Sequence, residues 1–265
     1  MGYITLLPDL PIVWNFILGA IVAMIYIQGT IMLMERLVNA GTLSSDLSRK
    51  VIHIAAGSFI WIWLFIDTSD KFSYLFNIIV PLLFFLTFLM KGTRGSPDDK
   101  DVKTMTRTGD PRELLKGPLY FTVIMMIVGV FLFGSYAGAF TMAIVGWGDG
   151  IAPYIGKRWG SRKYKTLGRE KTIEGSIGVF LFSVAGCLFF YVLLGMLGEV
   201  LADPTVGIDM VLIAIIICSL VAMIVEAISP SDVDNLLIPA STIITLIVLD
   251  LLLPATFFVL VIPFV

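Results

Sequence analysis

One carboxylate stands inside a glycine-rich stretch that is otherwise apolar. Asp149 lies between Gly148 and Gly150, and seven Lys and Arg residues follow in the segment 157–173. An ionisable group in an apolar helix is costly, and it usually faces a cavity or serves a function. Glycines let a ligand approach the backbone closely, and clustered Lys and Arg side chains suit phosphate. The grouping indicates a phosphate-handling site at a membrane surface.

Further acids are expected on the same side as Asp149. Glu174 opens an apolar run just after Lys171, Glu226 closes a later run, and Asp234 follows it. Mg²⁺ is typically held by one or two carboxylates together with substrate phosphates and water. In phosphoryl transfer the protein mostly positions groups and neutralises charge. For Glu226 and Asp232, pairing with a loop cation or simple solvation is an equal alternative to metal ligation.

Two of these signals have structural alternatives. His53, the single histidine, shares a helix face with Arg49 and Lys50. A lone histidine at such a place is more often a hydrogen-bonded interfacial residue than a catalyst, and imidazole-rich metal chemistry is excluded. The spacings Gly146-x-x-x-Gly150 and Gly156-x-x-x-Gly160 also fit close packing of helices through small residues.

Composition predicts the elements that must position these residues. Of 265 residues, 58% are hydrophobic and 14% charged, whereas a soluble domain carries about 25% charged residues. We therefore expect an all-α, polytopic integral membrane protein that forms a single domain over 1–265. Apolar runs close to the ~20 residues of a spanning helix predict eight spans, with seven to nine possible: 11–34, 51–66, 73–90, 117–134, 136–156, 174–197, 208–228 and 237–263.

The distribution of cations predicts the orientation. Loops 35–50, 91–116 and 157–173 hold 3, 7 and 7 of the 18 Lys and Arg residues, and only Lys71 falls on the other side. By the positive-inside rule these loops are cytoplasmic, together with segment 229–236, and both termini lie outside. Contact with anionic headgroups is an alternative reason for the basic residues. Within 91–116, Asp110-Pro111 followed by Glu113 predicts a helix start.

Several familiar signatures are absent. The sequence has no Walker A loop, no His-Arg-Asp catalytic loop and no Gly-x-Ser-x-Gly elbow, which disfavours soluble kinase folds. Asp250 is an acid in the last apolar run. It leaves a second alternative function, a proton-coupled transporter that uses Asp250 and Asp149 as a proton relay. Inverted repeats are expected in many such transporters, and none is apparent.

Five segments, in order along residues 49–240, resemble the dolichol kinase and phytol kinase superfamily. They are Arg49-Lys50-x-x-His53, Arg112-Glu113-Leu114-Leu115-x-Gly117-Pro118-Leu119-Tyr120, Gly148-Asp149-x-x-Ala152-x-x-x-Gly156-x-x-x-Gly160, Lys171-Thr172-x-Glu174-Gly175-Ser176 and Glu226-Ala227…Asp234-Asn235-Leu236-x-x-Pro239. Phosphatidate cytidylyltransferases are similar in the third and fourth segments. Their C-terminal signature, with His-Gly-Gly and paired aspartates, is not matched by Ser229–Pro239, which favours the kinase.

The resemblance implies an enzyme that phosphorylates a long-chain isoprenoid alcohol at the cytoplasmic membrane interface. The alcohol would be dolichol or another polyprenol, or phytol or geranylgeraniol, and the donor would be CTP with Mg²⁺ or another divalent cation. The expected partners are the lipid alcohol, the nucleoside triphosphate and membrane lipids, and no nucleic acid. The residues do not distinguish CTP from ATP, and they leave the alcohol and the oligomeric state open.

On this interpretation Asp149 binds the metal or orients the attacking hydroxyl, and Glu174 and Asp234 assist the metal. Arg112 or His53 would contact the leaving group or the lipid hydroxyl. The nucleotide would be bound by Gly148, Gly156, Lys157, Arg158, Gly160, Lys171, Thr172, Gly175 and Ser176. The alternative enzyme is a CTP-dependent cytidylyltransferase, which shares the site but attacks the α-phosphate and makes a CDP-activated lipid.

Overall fold

Helices form most of the chain that the computed structural model describes, which is residues 12–65, 76–167, 169–197, 201, 206–230, 233–253 and 256–257. The α-helices are α1 (Ile12–Asn39), α2 (Ser45–Gly57), α3 (Phe76–Arg94), α4 (Lys100–Met105), α5 (Gly117–Phe131), α6 (Tyr136–Ala143), α7 (Gly150–Trp159), α8 (Ile173–Phe190), α9 (Ile208–Ile228) and α10 (Asp234–Leu252). Four tighter or wider helical segments extend them: 3-10 turns at Ser58–Phe65 and Pro111–Leu115, and π-helical turns at Ile144–Asp149 and Tyr191–Leu197.

The predicted all-α membrane architecture is confirmed, but the predicted number of spans is not. Within the described residues, 6 helices are long and apolar enough to cross a membrane. They are Ile17–Asn39, Phe76–Arg94, Pro111–Phe131, Ile173–Leu197, Ile208–Ile228 and Asp234–Leu252. Lys71, the single cation that was predicted on the opposite side of the membrane, lies outside the described residues.

The two remaining expected spans, 51–66 and 136–156, have a different character. The helix that runs through α6, the π-helical turns and α7 lies inside the bundle, and every residue from Ser135 to Gly146 is buried. Because protein rather than lipid surrounds this central helix, it tolerates glycines and Asp149. The other stretch is α2, with Asp46, Arg49 and Lys50 in its first half, followed by the 3-10 turns.

Glycines bring α2 directly against the central helix. A Cβ atom on Gly57 would lie 2.5 Å from the Gly146 Cα, and one on Gly150 would lie 3.0 Å from the His53 Cδ2. The first contact is too close for any side chain, so the backbones of Gly57 and Gly146 touch, and the second leaves little room beside the His53 ring. Gly146-x-x-x-Gly150 therefore has the packing role that its spacing allows, and this contact carries His53 toward Asp149.

A buried hydrogen-bonded clamp joins α3 to α5. The Trp63 indole donates to the Asn77 Oδ1 (3.0 Å), and the Asn77 amide donates to the Gly129 carbonyl oxygen (2.9 Å). Asn77 is almost fully buried, and Gly129 provides the space, because a Cβ there would lie 2.6 Å from the Asn77 Cβ. This clamp fixes the spacing of the two helices.

The three basic loops meet at one end of the bundle. The Arg49 guanidinium donates to the Thr106 carbonyl oxygen (3.1 Å), which ties α2 to the segment after α4. Lys157 Nζ lies 3.3 Å from Asp46 Oδ2, which ties α7 to α2. The gathering of cations agrees with the predicted topology, while the side of the membrane on which they lie stays a prediction.

The helix start that was predicted at Asp110-Pro111, before α5, is confirmed in part. Asp110 caps Pro111–Leu115 by accepting from the Arg112 amide (2.9 Å). The Glu113 carboxylate accepts instead from the amides of Arg107 (2.6 Å) and Thr108 (3.1 Å). Glu113 thereby holds the preceding loop against the helix rather than completing the predicted capping box.

The basic segment 157–173 contains a small sheet that the sequence did not reveal. Strands β1 (Lys163–Thr166) and β2 (Arg169–Thr172) pair antiparallel, with Lys163 opposite Thr172. The Thr166 hydroxyl donates to the Ala227 carbonyl oxygen. This hairpin thus rests on the C-terminal end of α9.

Candidate active site

A cavity of about 400 Å³ lies where α2, α5, α7 and α10 meet at the basic end of the bundle. One part of its wall is apolar and belongs mainly to α1, α3 and α5. The other part is charged. Its ionisable side chains include Lys50, His53, Arg107, Lys116, Asp149 and Asp234.

Asp149 is the last residue of the π-helical turns, which lie between α6 and α7. Single wide turns of this kind occur frequently at functional sites. Its side chain is 13% exposed, and its Oδ2 lies 3.9 Å from the His53 Nε2. Within the described residues no hydrogen bond reaches the carboxylate. Asp149 is therefore a nearly buried acid that faces a cavity.

His53 is held in one orientation beside Asp149. Its Nε2 lies 3.0 Å from the Val145 carbonyl oxygen, and because a carbonyl oxygen only accepts, Nε2 carries the hydrogen. The neutral ring then has an acceptor at Nδ1. The ring also packs on Phe121, with 4.5 Å between ring centroids. Its hydrogen bond fits the interfacial alternative, and its place in the cavity wall fits the catalytic one.

Lys50 is a cavity residue to which the sequence analysis gave no role. Within the described residues it has neither a hydrogen bond nor an ion pair. Burial lowers the pKa of its ammonium group, while the Asp149 carboxylate opposes that shift. The signal was present in the sequence, because three residues separate Lys50 from His53 and place both on one helix face.

Asp234 brings a second carboxylate to the same cavity. It is the first residue of α10, and its Oδ1 accepts from the Asn235 amide (3.0 Å). The Asn235 Oδ1 is buried with no partner among the described residues. Gly117 allows α5 to approach at this point, since a Cβ there would lie 3.1 Å from the Asn235 Nδ2.

The donor set suits a magnesium ion that is shared with a substrate. Asp149 and Asp234 line one cavity, and Mg²⁺ usually takes one or two carboxylates plus phosphate oxygens and waters. Within the described residues no group of three or more His, Cys, Asp or Glu side chains is close enough to hold a metal alone. The two acids fit a metal that arrives with a phosphate ligand.

The third predicted metal ligand, Glu174, lies elsewhere. Its Oε1 accepts from the Ser161 hydroxyl (2.6 Å), and the Arg162 amide lies 3.3 Å from both carboxylate oxygens. Glu174 is not among the residues that line the cavity. In this structure it holds the turn that leads into the hairpin.

Lys171 forms a nearly buried ion pair. Its ammonium lies 2.8 Å from the Glu226 Oε1, with 13% and 12% of the two side chains exposed, and it also donates to the Glu226 carbonyl oxygen. The pairing alternative for Glu226 is therefore confirmed. Asp232, which adjoins this region in sequence, lies outside the described residues.

The predicted nucleotide-binding glycines pack against α8 and the residue that caps it. The Thr172 Oγ1 accepts from the Gly175 amide (3.1 Å). A Cβ on Gly156 would lie 2.7 Å from that oxygen, and one on Gly160 would lie 2.6 Å from the Thr172 Cγ2. A Cβ on Gly148 would overlap the Ser183 hydroxyl. Their role with nucleotide stays a prediction beside this packing role.

The other predicted contacts to nucleotide lie at the surface or in the hairpin. Lys157 is 76% exposed, and the Arg158 guanidinium lies 6.0 Å from the centre of the Trp159 ring. Ser176 shares a hydrogen bond with the Tyr164 hydroxyl (2.5 Å). Arg112 is exposed and does not line the cavity.

Asp250 lies far from this site. It is near the C-terminal end of α10, which ends at Leu252, and its Oδ1 accepts from the Phe257 amide (2.7 Å). The axial rise of a helix places it about 24 Å from Asp234. Within the described residues no contact joins it to Asp149, so the relay that the transporter alternative requires has no observed path.

Comparisons with known proteins point to one group. The chain is 34% identical over 208 residues to the probable phytol kinase 1, chloroplastic, of Oryza sativa subsp. japonica, covering 76% of this chain and 64% of that protein. It is 34% identical over 218 residues to phytol kinase 1, chloroplastic, of Arabidopsis thaliana, covering 79% and 68%. It is 32% identical over 157 residues to the farnesol kinase, chloroplastic, of Arabidopsis thaliana, covering 57% and 50%.

The chain thus spans about two thirds of the length of the phytol kinases, 64% and 68% in these two cases. No protein-family model matches the chain, and no solved structure matches it.

Proposed function

The chain belongs to the phytol kinase family, and from this premise we propose that it transfers the terminal phosphoryl group of a nucleoside triphosphate to an isoprenoid alcohol. Relatives named phytol kinase and farnesol kinase support a prenol-type acceptor. The observation that carries the proposal is the mixed lining of the cavity, in which a charged end adjoins an apolar wall. An alcohol with a hydrocarbon tail requires both.

The cations of the cavity would receive the phosphates. Lys50 on α2 and Arg107 on the loop before α5 line its charged end from different elements, together with Lys116. Several cations around a triphosphate would neutralise the charge that spreads over the phosphate oxygens during transfer. Lys50 has the strongest case, because its partly buried ammonium has no direct hydrogen bond or ion pair within the described residues.

The acids would organise the reacting atoms. Asp149 and Asp234 would hold a divalent cation, which would neutralise charge on the β- and γ-phosphates when it is bound. The alcohol oxygen would form a bond to the γ-phosphorus, and the bond from that phosphorus to the β–γ bridging oxygen would break. Asp149 or the His53 Nδ1 would take the hydroxyl proton, and the nucleoside diphosphate would leave.

The resemblance to dolichol and phytol kinases supports CTP as the donor, and the basic loops support a site at the cytoplasmic interface of the membrane. Among the predicted nucleotide contacts, Lys171 lies near enough to Asp149 for its charge, like that of its partner Glu226, to act on the carboxylate. We propose that the base and ribose bind on that side, with the triphosphate directed toward Lys50.

Labelled nucleotides test the proposal. The purified protein in lipid nanodiscs is incubated with Mg²⁺ and CTP or ATP labelled at the γ- or the α-phosphate. The acceptors are a pool of phytol, farnesol, geranylgeraniol and dolichol, and, in a separate reaction, phosphatidate, whose phosphate a cytidylyltransferase would need. We expect γ-label in the lipid product, and we expect none with Asp149→Asn. Label from the α-phosphate would indicate the cytidylyltransferase instead, and no label from any alcohol would refute the kinase.

A further inference from the structure

The apolar lining of the cavity stops at corresponding levels of α3 and α5, away from the charged residues. Its lining includes Ile27 on α1, Val80 and Phe84 on α3, and Phe121 and Met125 on α5. One helical turn beyond Val80 comes Asn77, the residue that is bonded to both Trp63 and the Gly129 carbonyl. The cavity lining on α5 likewise ends at Met125, one turn before Gly129. The hydrogen-bonded clamp therefore lies just beyond the floor of the cavity.

The position of this floor limits the length of chain that fits. From Gly117, at the charged end of the cavity wall, to Met125 the helical rise amounts to about 12 Å. An extended chain advances roughly 1.2 Å per single bond, so about ten bonds span this distance. This distance corresponds to roughly two and a half isoprene units below the hydroxyl. A geraniol chain therefore ends short of the floor, whereas the chains of farnesol and geranylgeraniol reach it.

Selectivity between isoprenoid alcohols must come from steric exclusion of chains that do not fit, and not from the hydrophobic free energy of binding. A prenol reaches the cavity from the bilayer, and lipid tails are as apolar as these side chains. Moving the chain from lipid into the cavity therefore yields little hydrophobic free energy. Discrimination between alcohols then rests on which chains fail to fit.

On the basis of the proposed kinase activity, we propose that Val80 and Met125 determine the longest isoprenoid chain that the enzyme accepts. Val80 is 2% exposed and Met125 4% exposed, and both belong to the cavity wall. Larger side chains at these positions raise the floor, whereas a smaller one at Met125 lowers it. Neither side chain lies at the charged end, so the transfer step itself is unchanged.

The test compares alcohols of two, three and four isoprene units: geraniol, farnesol and geranylgeraniol. Val80→Phe and Met125→Phe are matched with Leu83→Phe and Ile127→Phe, whose residues lie on the same helices and are 46% and 40% exposed. We expect the first pair to lower kcat/KM for geranylgeraniol by about tenfold relative to geraniol, and the second pair to leave the ratio unchanged. Met125→Ala should shift the ratio the other way.

An equal change for geraniol and geranylgeraniol in Val80→Phe and Met125→Phe would overturn the assignment while leaving the kinase intact. A binding readout separates this from failure of the proposed function. A farnesol analogue with a diazirine at its distal end should, on irradiation, label peptides that contain Val80 or Met125 whether or not transfer occurs. Labelling confined to other helices would overturn the assignment in a protein with or without kinase activity.

Discussion

Charged residues are treated differently in two adjoining regions of the molecule, the cavity and the hairpin region (residues 156–176 with Glu226). In the hairpin region, Lys171 pairs with Glu226 and Glu174 accepts hydrogen bonds from the turn before β1. In the cavity, Lys50 and Asp149 lie near each other without a direct bond in the described structure. An unpaired buried charge costs far more than a paired one, so we infer that the cavity retains its charges for a ligand.

Residues that are neighbours in the sequence belong to two different regions of the structure. Residues 148–176 read as one phosphate site, yet the structure uses the glycines and Thr172 to pack α7 on α8 and leaves Asp149 open to the cavity. Asp149 lies at the boundary, where the charges of Asp234, Lys50, Glu226 and Lys171 act on it. The charges of the hairpin region would then set the electrostatic potential at Asp149, and the cavity would hold the reacting groups.

The largest effect is expected from Asp149→Asn. Removing the charge should lower kcat by at least about a thousandfold, because transfer depends on placing the phosphates and the hydroxyl correctly. The unfolding temperature should stay the same or rise, since an unpaired buried charge is lost. Single-turnover transfer from labelled nucleotide and thermal unfolding in detergent measure the two effects.

Asp98→Asn is the matched control for that substitution. Asp98 is 91% exposed and pairs with Lys103 on the surface, so its variant should keep full activity. If Asp149→Asn lost much stability and its activity fell only in proportion to the folded fraction, Asp149 would have a structural role and not a catalytic one.

The next effect concerns the ion pair of the hairpin region. Lys171→Met leaves the Glu226 carboxylate buried without its partner, which should cost about 3 kcal/mol of stability. The double variant Lys171→Met, Glu226→Gln should recover much of that loss because no isolated charge remains. Chemical denaturation of the wild type, both single variants and the double variant gives the coupling energy of the pair. If the double variant were no more stable than Lys171→Met, the isolated Glu226 charge would not be the cause of the loss.

The sequence predicted the helical class and the meeting of the basic loops because hydropathy and charge directly reflect what surrounds each segment. The predicted number of spans is not confirmed, because an apolar run surrounded by protein, as in Ser135–Gly146, has the same composition as one surrounded by lipid. It placed Asp149, His53 and Asp234, which now share a cavity. It gave Lys50 no role, because whether a cation has a partner depends on long-range packing that spacing does not encode.

Lys50→Met tests the unpaired cation directly. Methionine has a similar length and no charge, so we expect about a hundredfold loss of kcat/KM for the nucleotide from one lost phosphate contact. Stability should stay the same or rise, because the desolvation of the ammonium is removed together with its attraction to Asp149. Lys103→Met, at an exposed lysine that pairs with Asp98 outside the cavity, should change neither quantity much. If Lys50→Met were fully active, the triphosphate would have to bind outside the cavity.

Gly156→Ala gives the smallest effect and separates the two roles of the glycines. The new methyl group would meet the Thr172 Oγ1 at 2.7 Å, so the helix cap must shift, at a cost of about 1–2 kcal/mol. Gly29→Ala, with nothing within 4 Å of the added atom, should leave stability unchanged or slightly raised. If Gly156 only packs, stability falls while KM for the nucleotide is constant. If it also lies against the nucleotide, as its sequence context predicts, KM for the nucleotide rises in the fraction that remains folded. The nucleotide site would then extend from the cavity to α7.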